Sequence, residues 1–182
     1  FGRGLFHFGV PMRRVMIVGS PGAGKSTLAM VMGRALGLPV HHLERICFRK
    51  GWRWVPTPQR DAAMAQVFAL PAYVLEGNYP QTFSARLADC DTLIWLDLPV
   101  LLRLWRVCRR LWRHRGQERP DLPEGSVETD ARHQWAFWRY FLIDRLGVED
   151  ATATMVAKAP PGVQVIHLRS RREVGAFVAG LK

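Results

Sequence analysis

The chain has 182 residues, of which 48% are hydrophobic and 23% are charged, so it can bury one sizeable core and lies in the single-domain range. Its net charge of +11 favours an anionic partner, and nucleotide phosphates, nucleic acid and an acidic membrane surface all satisfy that charge. No apolar run reaches the roughly 18 residues of a membrane span, which argues against an integral membrane protein.

The cysteines and the N-terminal segment bear on where the protein resides. Cys47, Cys90 and Cys108 form no C-x-x-C pair and cannot all be disulfide-bonded within one chain, which fits a reducing cytoplasm. Residues 1–11 lack the apolar stretch and the cleavage site of a secretory signal. Met12 directly precedes the first predicted strand, so we expect residues 1–11 to be a start-site extension or disordered leader and residues 12–182 to form one domain.

The first predicted elements are a strand, a loop and a helix in direct succession. The apolar run 15–18 ends at Gly19 and is typical of a strand that is buried on both faces. From Ser26 to Leu36 apolar residues recur at helical spacing, and Gly37 followed by Pro39 is a helix stop.

The alternation of strands and helices continues to the end of the chain. Further strands are predicted at 40–43, 73–75, 92–96 and 163–168, and further helices at 59–70, 100–115, 127–146 and 172–181. Strands that alternate with helices pair in parallel through right-handed crossovers. We therefore predict an α/β fold with a five-stranded parallel sheet and helices on both of its faces.

The loop after the first strand carries the most specific motif. It matches G-x-x-x-x-G-K-[ST], whose glycines let backbone N–H groups approach phosphate oxygens, while the next helix directs its positive end toward them. The ligand predicted is ATP or GTP, with Lys25 on the β and γ oxygens and the Ser26 hydroxyl on Mg²⁺. The nucleotide-binding residues are Gly19, Ser20, Pro21, Gly22, Ala23, Gly24, Lys25 and Ser26.

Three acids follow predicted strands, at the edge where parallel sheets bind ligands. Asp97 and Glu76 are the candidates to hold Mg²⁺ together with Ser26, and a turn or capping role is the alternative for Asp97. Glu44 is a candidate general base for an acceptor hydroxyl, or else a helix-capping acid. His41 and His42 are interpreted as packing or surface residues, because no cysteine stands at zinc-binding spacing.

The predicted helix from Val100 has an arginine stripe, defined as Arg103, Arg106, Arg110 and Arg113. At about 100° per residue these four fall within an arc of about 80°, and the other side is apolar. We predict that the apolar side, with Trp105 and Trp112, is the core face and that the other face presents the guanidinium groups. Such a stripe suits a transferring phosphoryl group, and a solvated face, nucleic acid and anionic lipid are the alternatives.

Two aromatic groups are candidates for base stacking. Trp135, Phe137, Trp138 and Phe141 lie at helical spacing and are interpreted as core. Trp52 and Trp54 lie in a loop with Arg49, Lys50 and Arg53, and are predicted either to stack on an acceptor base or to form a hydrophobic flap.

The motifs together resemble the adenylate-kinase-related P-loop kinases, most closely the bacterial DNA topology modulation proteins, over nearly all of 12–182. The motifs that carry the resemblance are Val-Gly-Ser-Pro-Gly-Ala-Gly-Lys-Ser-Thr at 18–27, His-Leu-Glu at 42–44, Gly-Trp-Arg-Trp-Val-Pro-Thr-Pro at 51–58, Glu-Gly-Asn-Tyr at 76–79, Leu-Asp-Leu-Pro at 96–99, the arginine-rich run from 109, Arg-Pro-Asp at 119–121 and Leu-Arg-Ser-Arg-Arg-Glu-Val at 168–174.

The resemblance implies roles for further residues. A short arginine-rich lid at about 113–125 would close over the nucleotide, so Arg115 joins Arg106 and Arg110 as arginines expected at the transferring phosphoryl. Thr27 would extend the phosphate loop, and Arg169 and Arg171 would lie near the adenine. The chain departs from the family where Glu44 and Glu76 stand in place of Asp, and the added methylene moves a carboxylate by about an ångström.

Two functions follow as expectations. The first is an ATP- and Mg²⁺-dependent phosphotransferase that acts on a nucleoside, nucleotide or similar small acceptor, as a cytoplasmic monomer or homodimer without a membrane partner. Its predicted catalytic residues are Lys25, Glu44, Arg106, Arg110 and Arg115. The alternative is a nucleotide-regulated protein whose arginine stripe grips nucleic-acid phosphates, and steep salt dependence of binding would distinguish it.

Overall fold

The computed structural model describes residues 12–113 and 152–181. Along the first of these ranges lie β1 (Arg14–Gly19), α1 (Lys25–Leu36), β2 (Val40–His42), α2 (Leu43–Cys47), β3 (Phe48–Arg49), β4 (Arg53–Trp54), α3 (Thr57–Phe68), β5 (Tyr73–Glu76), α4 (Phe83–Asp89), β6 (Thr92–Leu96) and α5 (Val100–Arg113). In the second range, residues 152–157 are helical and are followed by β7 (Gln164–Leu168) and α6 (Arg171–Ala179).

Five strands form one parallel sheet in the order β2-β5-β1-β6-β7. β1 lies at the centre, with Ile17 beside Glu76 of β5 on one side and Gly19 beside Leu96 of β6 on the other. Because the chain crosses to either side of β1, a crevice opens at the carboxyl end of that strand, where α/β proteins bind ligands. The predicted parallel α/β sheet is thus confirmed.

The side chains of β1 alternate between two hydrophobic cores. Val15 and Ile17 are fully buried against α1 and α6, on one face of the sheet. Met16 and Val18 pack on the other face, with α4 and the helical segment 152–157. Burial on both faces explains why this strand is a continuous apolar run rather than an alternating one. It also holds rigidly the strand that ends in the glycine loop.

Local structure differs from the predicted elements at three places. The second strand ends at His42, since Leu43 begins α2 and buries its side chain against α3 and β5. The loop predicted around Trp52 and Trp54 contains the antiparallel hairpin of β3 and β4. Helix α4 was not predicted, and it buries Arg86 along with two apolar side chains.

Several predictions lie outside the described residues: the N-terminal leader, the helix 127–146 and, apart from Arg113, the lid. Within residues 12–113 and 152–181, no helix is long and apolar enough to cross a membrane.

Candidate active site

The glycine loop joins β1 to α1 at the carboxyl end of the central strand. The Ala23 amide donates to the Ser20 carbonyl at 3.1 Å, which closes the turn, and α1 begins at Lys25. The first amides of a helix have no intrahelical partner, so they point into the loop as donors for an anion. The loop of residues 20–24 thus folds back on itself directly before the free amides of α1. Thr27 is exposed on the first turn of α1.

In the arginine stripe of α5, Arg103 is buried and Arg106 and Arg110 are partly buried, whereas Arg113 is exposed. The prediction that the apolar side of this helix packs on the core was therefore wrong. Arg103 is only 2% exposed, whereas Trp105 and Trp112 on the apolar side are 55% and 76% exposed. Arg103 Nε donates to the Leu98 carbonyl at 2.7 Å. Carbonyl oxygens buried beneath α5 require donors, which guanidinium groups supply and an apolar face does not.

Helix α5 packs directly on the glycine loop. A Cβ built on Gly22, whose φ is +77°, would lie 2.5 Å from the Arg103 carbonyl oxygen and 3.0 Å from the Val107 side chain. Arg106 Nη1 donates to the Ala23 carbonyl at 3.2 Å and lies 3.4 Å from that of Gly22. The loop is therefore clamped between its own helix and the arginines.

Positive charge is concentrated around the loop. Burial lowers the pKa of Lys25, the carboxylates Glu76 and Glu44 oppose this, and Arg110 and Arg103 lower it further. The pKa of Arg106 is lowered by burial and by the approach of Arg171 at the start of α6. Cations that repel one another gain stability when an anion binds among them. The arrangement can therefore hold a polyanion such as a triphosphate.

Ser26 and Glu76 are brought together across the central strands. Ser26 Oγ donates to Glu76 Oε1 at 3.2 Å, and the Glu76 side chain is buried. Mg²⁺ prefers oxygen ligands and takes only one or two from protein, with water and phosphate oxygens filling the rest. A hydroxyl and a carboxylate beside a phosphate loop fit that requirement. In the described ranges, no cluster of three or more His, Cys, Asp or Glu side chains could form a metal cage.

Asp97 lies on the other side of β1 and has a different partner. Its Oδ2 is 3.1 Å from Nε2 of His167, whose ring stacks on Trp95 at a centroid distance of 4.0 Å. Arg169 Nε in turn donates to His167 Nδ1 at 3.3 Å. The contacts of Asp97 thus lead toward β7, whereas Glu76 contacts the serine of the glycine loop.

His42 is a site residue that sequence reasoning missed. Its Nδ1 lies 2.7 Å from Glu76 Oε1, and both side chains are nearly buried. The available signal was its position at the carboxyl end of β2, the place that Glu76 occupies in β5. Glu44 follows on the first turn of α2, near enough to Lys25 to affect its pKa. Glu76 and His42 thus lie on the side of the glycine loop nearest β2, and the charge of Glu44 acts on Lys25 from the start of α2.

Arg86 fixes the loop that follows Glu76, and the sequence carried no sign of it. Its guanidinium, almost fully buried, donates to the carbonyls of Gly77 at 2.9 Å and of Tyr79 at 3.4 Å. Burial lowers its pKa to about 10. Between these two carbonyls lies Asn78, whose side-chain amide is buried with neither polar atom hydrogen-bonded within the described structure. A buried amide without a partner is costly, and a bound ligand or water is one way in which such a group is satisfied.

An aromatic cluster, comprising Phe48, Trp52, Trp54 and Tyr79, stands on the same side. Phe48 and Trp54 have centroids 4.3 Å apart, and Tyr79 meets both rings. Trp54 remains 57% exposed. Trp52 has φ of +58°, a left-handed conformation that a bulky residue rarely adopts and that often marks functional sites. The cluster joins the hairpin to the loop that leaves Glu76.

The remaining predicted residues divide by location. Arg171 approaches the glycine loop, as the charge effect on Arg106 shows. The backbone amide of Arg169 donates to Glu173 Oε2 at 2.7 Å, and Ser170 Oγ accepts from the Glu173 amide, so this segment is a helix cap. Arg115 lies outside the described residues.

Comparison with known proteins bears on the fold. No protein-family model and no curated protein sequence matches the chain. Shikimate kinase from Bacteroides thetaiotaomicron is similar in structure, with a TM-score of 0.53 at 19% identity over 93% of this chain and 96% of that chain. Shikimate kinase from Acinetobacter baumannii in complex with shikimate has a TM-score of 0.53 at 15% identity over 94% and 91%. Together with the parallel sheet and its glycine loop, these similarities show that the chain has the fold of the P-loop kinases.

Proposed function

We propose that this protein is an ATP- and Mg²⁺-dependent phosphotransferase acting on a nucleoside, a nucleotide or a similar small acceptor. The observation that carries the proposal is the grouping of Lys25, Arg106 and Arg110 around a glycine loop whose Ser26 hydroxyl is bonded to Glu76. Phosphoryl transfer needs little covalent chemistry from the protein, and depends on positioning and on charge stabilisation. Both are present in this arrangement.

The glycine loop would bind the phosphate donor, ATP. Backbone amides of residues 20–25 would bind the β and γ phosphates, with Lys25 as the neutralising cation. Ser26 and Glu76 would hold Mg²⁺, which supplies further charge on the same phosphate oxygens. Arg106 hydrogen-bonds to loop carbonyls and is close enough to turn to a phosphate that enters the loop. Arg171 and Arg169 would lie toward the base.

The residues nearest β2 would bind the phosphate acceptor. A hydroxyl oxygen of the acceptor would attack the γ phosphorus while the bond to the bridging oxygen breaks and ADP leaves. Glu44, whose charge acts on Lys25, would take the hydroxyl proton as a general base. The exposed ring of Trp54 would stack on a flat acceptor, and Asn78 would hydrogen-bond to it.

The resemblance to the DNA topology modulation proteins, which rests on the sequence motifs, is part of this proposal. Cytoplasmic residence is proposed as well, because the three cysteines are free. The nucleic-acid alternative loses its main support, since Arg103, Arg106 and Arg110 face the glycine loop and are not spread over an outer surface. A guanidinium group that is hydrogen-bonded to the loop cannot at the same time contact the phosphates of a nucleic acid.

ADP production tests the proposal most directly. Pure protein is supplied with Mg-ATP and a panel of nucleosides, nucleoside monophosphates and small polyols, and products are identified by mass spectrometry. We expect acceptor-dependent ADP with one class of acceptor, and its loss in Lys25→Ala. Tight ATP binding without any phosphorylated product across the panel would contradict a phosphotransferase of this class.

A further inference from the structure

His42 and Glu76 face each other across neighbouring strands. They are direct partners in the parallel register of β2 and β5, so their side chains leave the same face of the sheet at the carboxyl end. His42 Nδ1 lies 2.7 Å from Glu76 Oε1. The same carboxylate oxygen accepts from Ser26 Oγ at 3.2 Å. One oxygen of Glu76 is thus held from two sides, by the edge strand and by the glycine loop.

The carboxylate of a glutamate at position 76 needs hydrogen bonds to fix its orientation. Glutamate has one more side-chain torsion than aspartate, so its carboxylate can turn among several positions. Lys25 is a competing partner, since Glu76 is the carboxylate that most raises the pKa of Lys25. If Glu76 paired with Lys25, the ammonium would be partly neutralised before phosphate arrived. A donor at His42 holds the carboxylate toward Ser26 instead.

We propose that His42 is a positioning residue that orients Glu76, through its Nδ1–H, so that Glu76 and Ser26 can hold the cation that accompanies the nucleotide. This inference rests on the phosphotransferase site proposed above, though not on the identity of the acceptor. Residues that orient a metal ligand without touching the metal typically change metal affinity by about 10- to 100-fold when removed. The effect expected of His42 is therefore on the cation dependence of nucleotide binding.

The chain offers a matched control in the next residue. His41 is on the same strand and points to the opposite face, opposite Leu75 in the register. Its Nε2 is buried and has no hydrogen-bond partner in the described part of the chain. Any general effect of replacing a histidine on the edge strand should therefore appear at His41 as well as at His42.

The test compares His42→Leu, His42→Asn and His41→Leu. Asparagine keeps an N–H at the position of Nδ1, two bonds from Cβ, whereas leucine keeps only the shape. Binding of a fluorescent ATP analogue is titrated with Mg²⁺ at fixed nucleotide, without any acceptor. We expect His42→Leu to raise the half-saturating Mg²⁺ concentration about tenfold or more. His42→Asn should lie within about threefold of the parent protein, as should His41→Leu.

The outcomes separate this proposal from the phosphotransferase activity itself. Circular dichroism first establishes that each variant is folded. If His42→Leu is unfolded, His42→Gln takes its place, because the N–H of glutamine lies one bond farther from Cβ than Nδ1 and so also removes the donor from the Nδ1 position. A folded variant without the Nδ1 donor that keeps the parent Mg²⁺ dependence would overturn the positioning role, as would equal losses in His42→Leu and His42→Asn. Because no acceptor is present, failure to find a phosphorylated product leaves these measurements unaffected.

Discussion

Arg106 Nη1 lies 3.2 Å from the carbonyl oxygen of Ala23, so the fifth helix is bonded to the backbone of the glycine loop. The contact joins two segments separated by 83 positions in sequence. It brings a guanidinium to the mouth of a loop whose amides point inward for phosphate. The conformation of the loop consequently depends on a helix that lies five strands later in the chain, in addition to the loop's own glycines.

Replacement of Arg106 should weaken nucleotide binding. A hydrogen bond to a charged group contributes about 1.5–3 kcal/mol, which corresponds to roughly a 10- to 100-fold change in affinity. We expect Arg106→Ala to raise the Kd for Mg-ATP by that factor, as measured by calorimetry. Arg109→Ala is the matched control, because Arg109 lies on the exposed side of α5 over the Trp105 ring. Equal effects of the two changes would refute a specific role for Arg106.

Gly22 leaves almost no room for a side chain on the side of the loop that faces α5. Its φ of +77° and the Arg103 carbonyl at 2.5 Å from a built Cβ both oppose alanine. Gly22→Ala should cost on the order of 1–3 kcal/mol of stability in urea unfolding and raise the Kd for ATP at least tenfold.

The control for that change is Gly37→Ala. Gly37 also has a positive φ, of +67°, but a Cβ there meets nothing within 4 Å. Gly37→Ala should therefore lower the free energy of unfolding by about 1–2 kcal/mol without altering the affinity for ATP. If Gly22→Ala bound ATP as tightly as Gly37→Ala, the packing of α5 on the loop would not matter for binding.

Glu76 and Asp97 are distinguishable by their effect on magnesium dependence. Glu76 contacts Ser26, whereas Asp97 contacts His167. We expect Glu76→Gln to raise the Mg²⁺ concentration required for half-maximal nucleotide binding by about tenfold or more, and Asp97→Asn to raise it less than about threefold. Both amides keep the size of the acid they replace. The reverse ranking would assign the cation to the β6 side of the loop.

Alkaline pH should destabilise the fold through two buried thiols. Burial raises the pKa of Cys47 to about 11 and that of Cys90 to about 12, from an ordinary value of 9.0. Between pH 8 and 10 both thiols ionise in the unfolded chain but stay protonated in the folded one. The unfolded state then binds fewer protons, so the free energy of unfolding falls as pH rises, by on the order of 1 kcal/mol for each thiol.

Urea unfolding at pH 8 and pH 10 measures that fall. The loss between the two pH values should shrink in Cys47→Ala and in Cys90→Ala, whatever each change costs at pH 8. Cys108→Ala serves as the control, since Cys108 is exposed. An unchanged pH dependence in both buried-site variants would show that their thiols ionise alike in the folded and unfolded states.

The strand, loop and helix at the start of the domain could be predicted from residues 15–36 because their signals are local. An apolar run, glycines at fixed spacing and a helical period each depend on neighbours within a few positions. The five strands of the sheet were predicted for the same reason, since four of them contain a short apolar run and β2 follows the helix stop at Gly37 and Pro39. Helix α4 was missed because its seven residues include a buried arginine, which no periodicity rule places in a core.

The orientation of α5 could not be predicted, although its two faces could. Amphipathicity predicts that the apolar side is buried, and the structure buries Arg103 instead. What decides the matter is a set of carbonyl oxygens, from Leu98, Gly22 and Ala23, that lie beneath the helix and need donors. Leu98 directly precedes the helix, but Gly22 and Ala23 come from a segment distant in sequence, so only the assembled fold shows that the donors belong inside.

The sequence by itself determined the phosphate loop, the parallel sheet and the set of acids at strand ends. It could not determine which acid serves the loop, because that depends on the order of strands in the sheet. The structure places β5 between β1 and β2, which brings Glu76 to Ser26 and to His42. Local propensity specifies a strand, but hydrogen bonding between strands far apart in sequence specifies its neighbours, and the neighbours made this site.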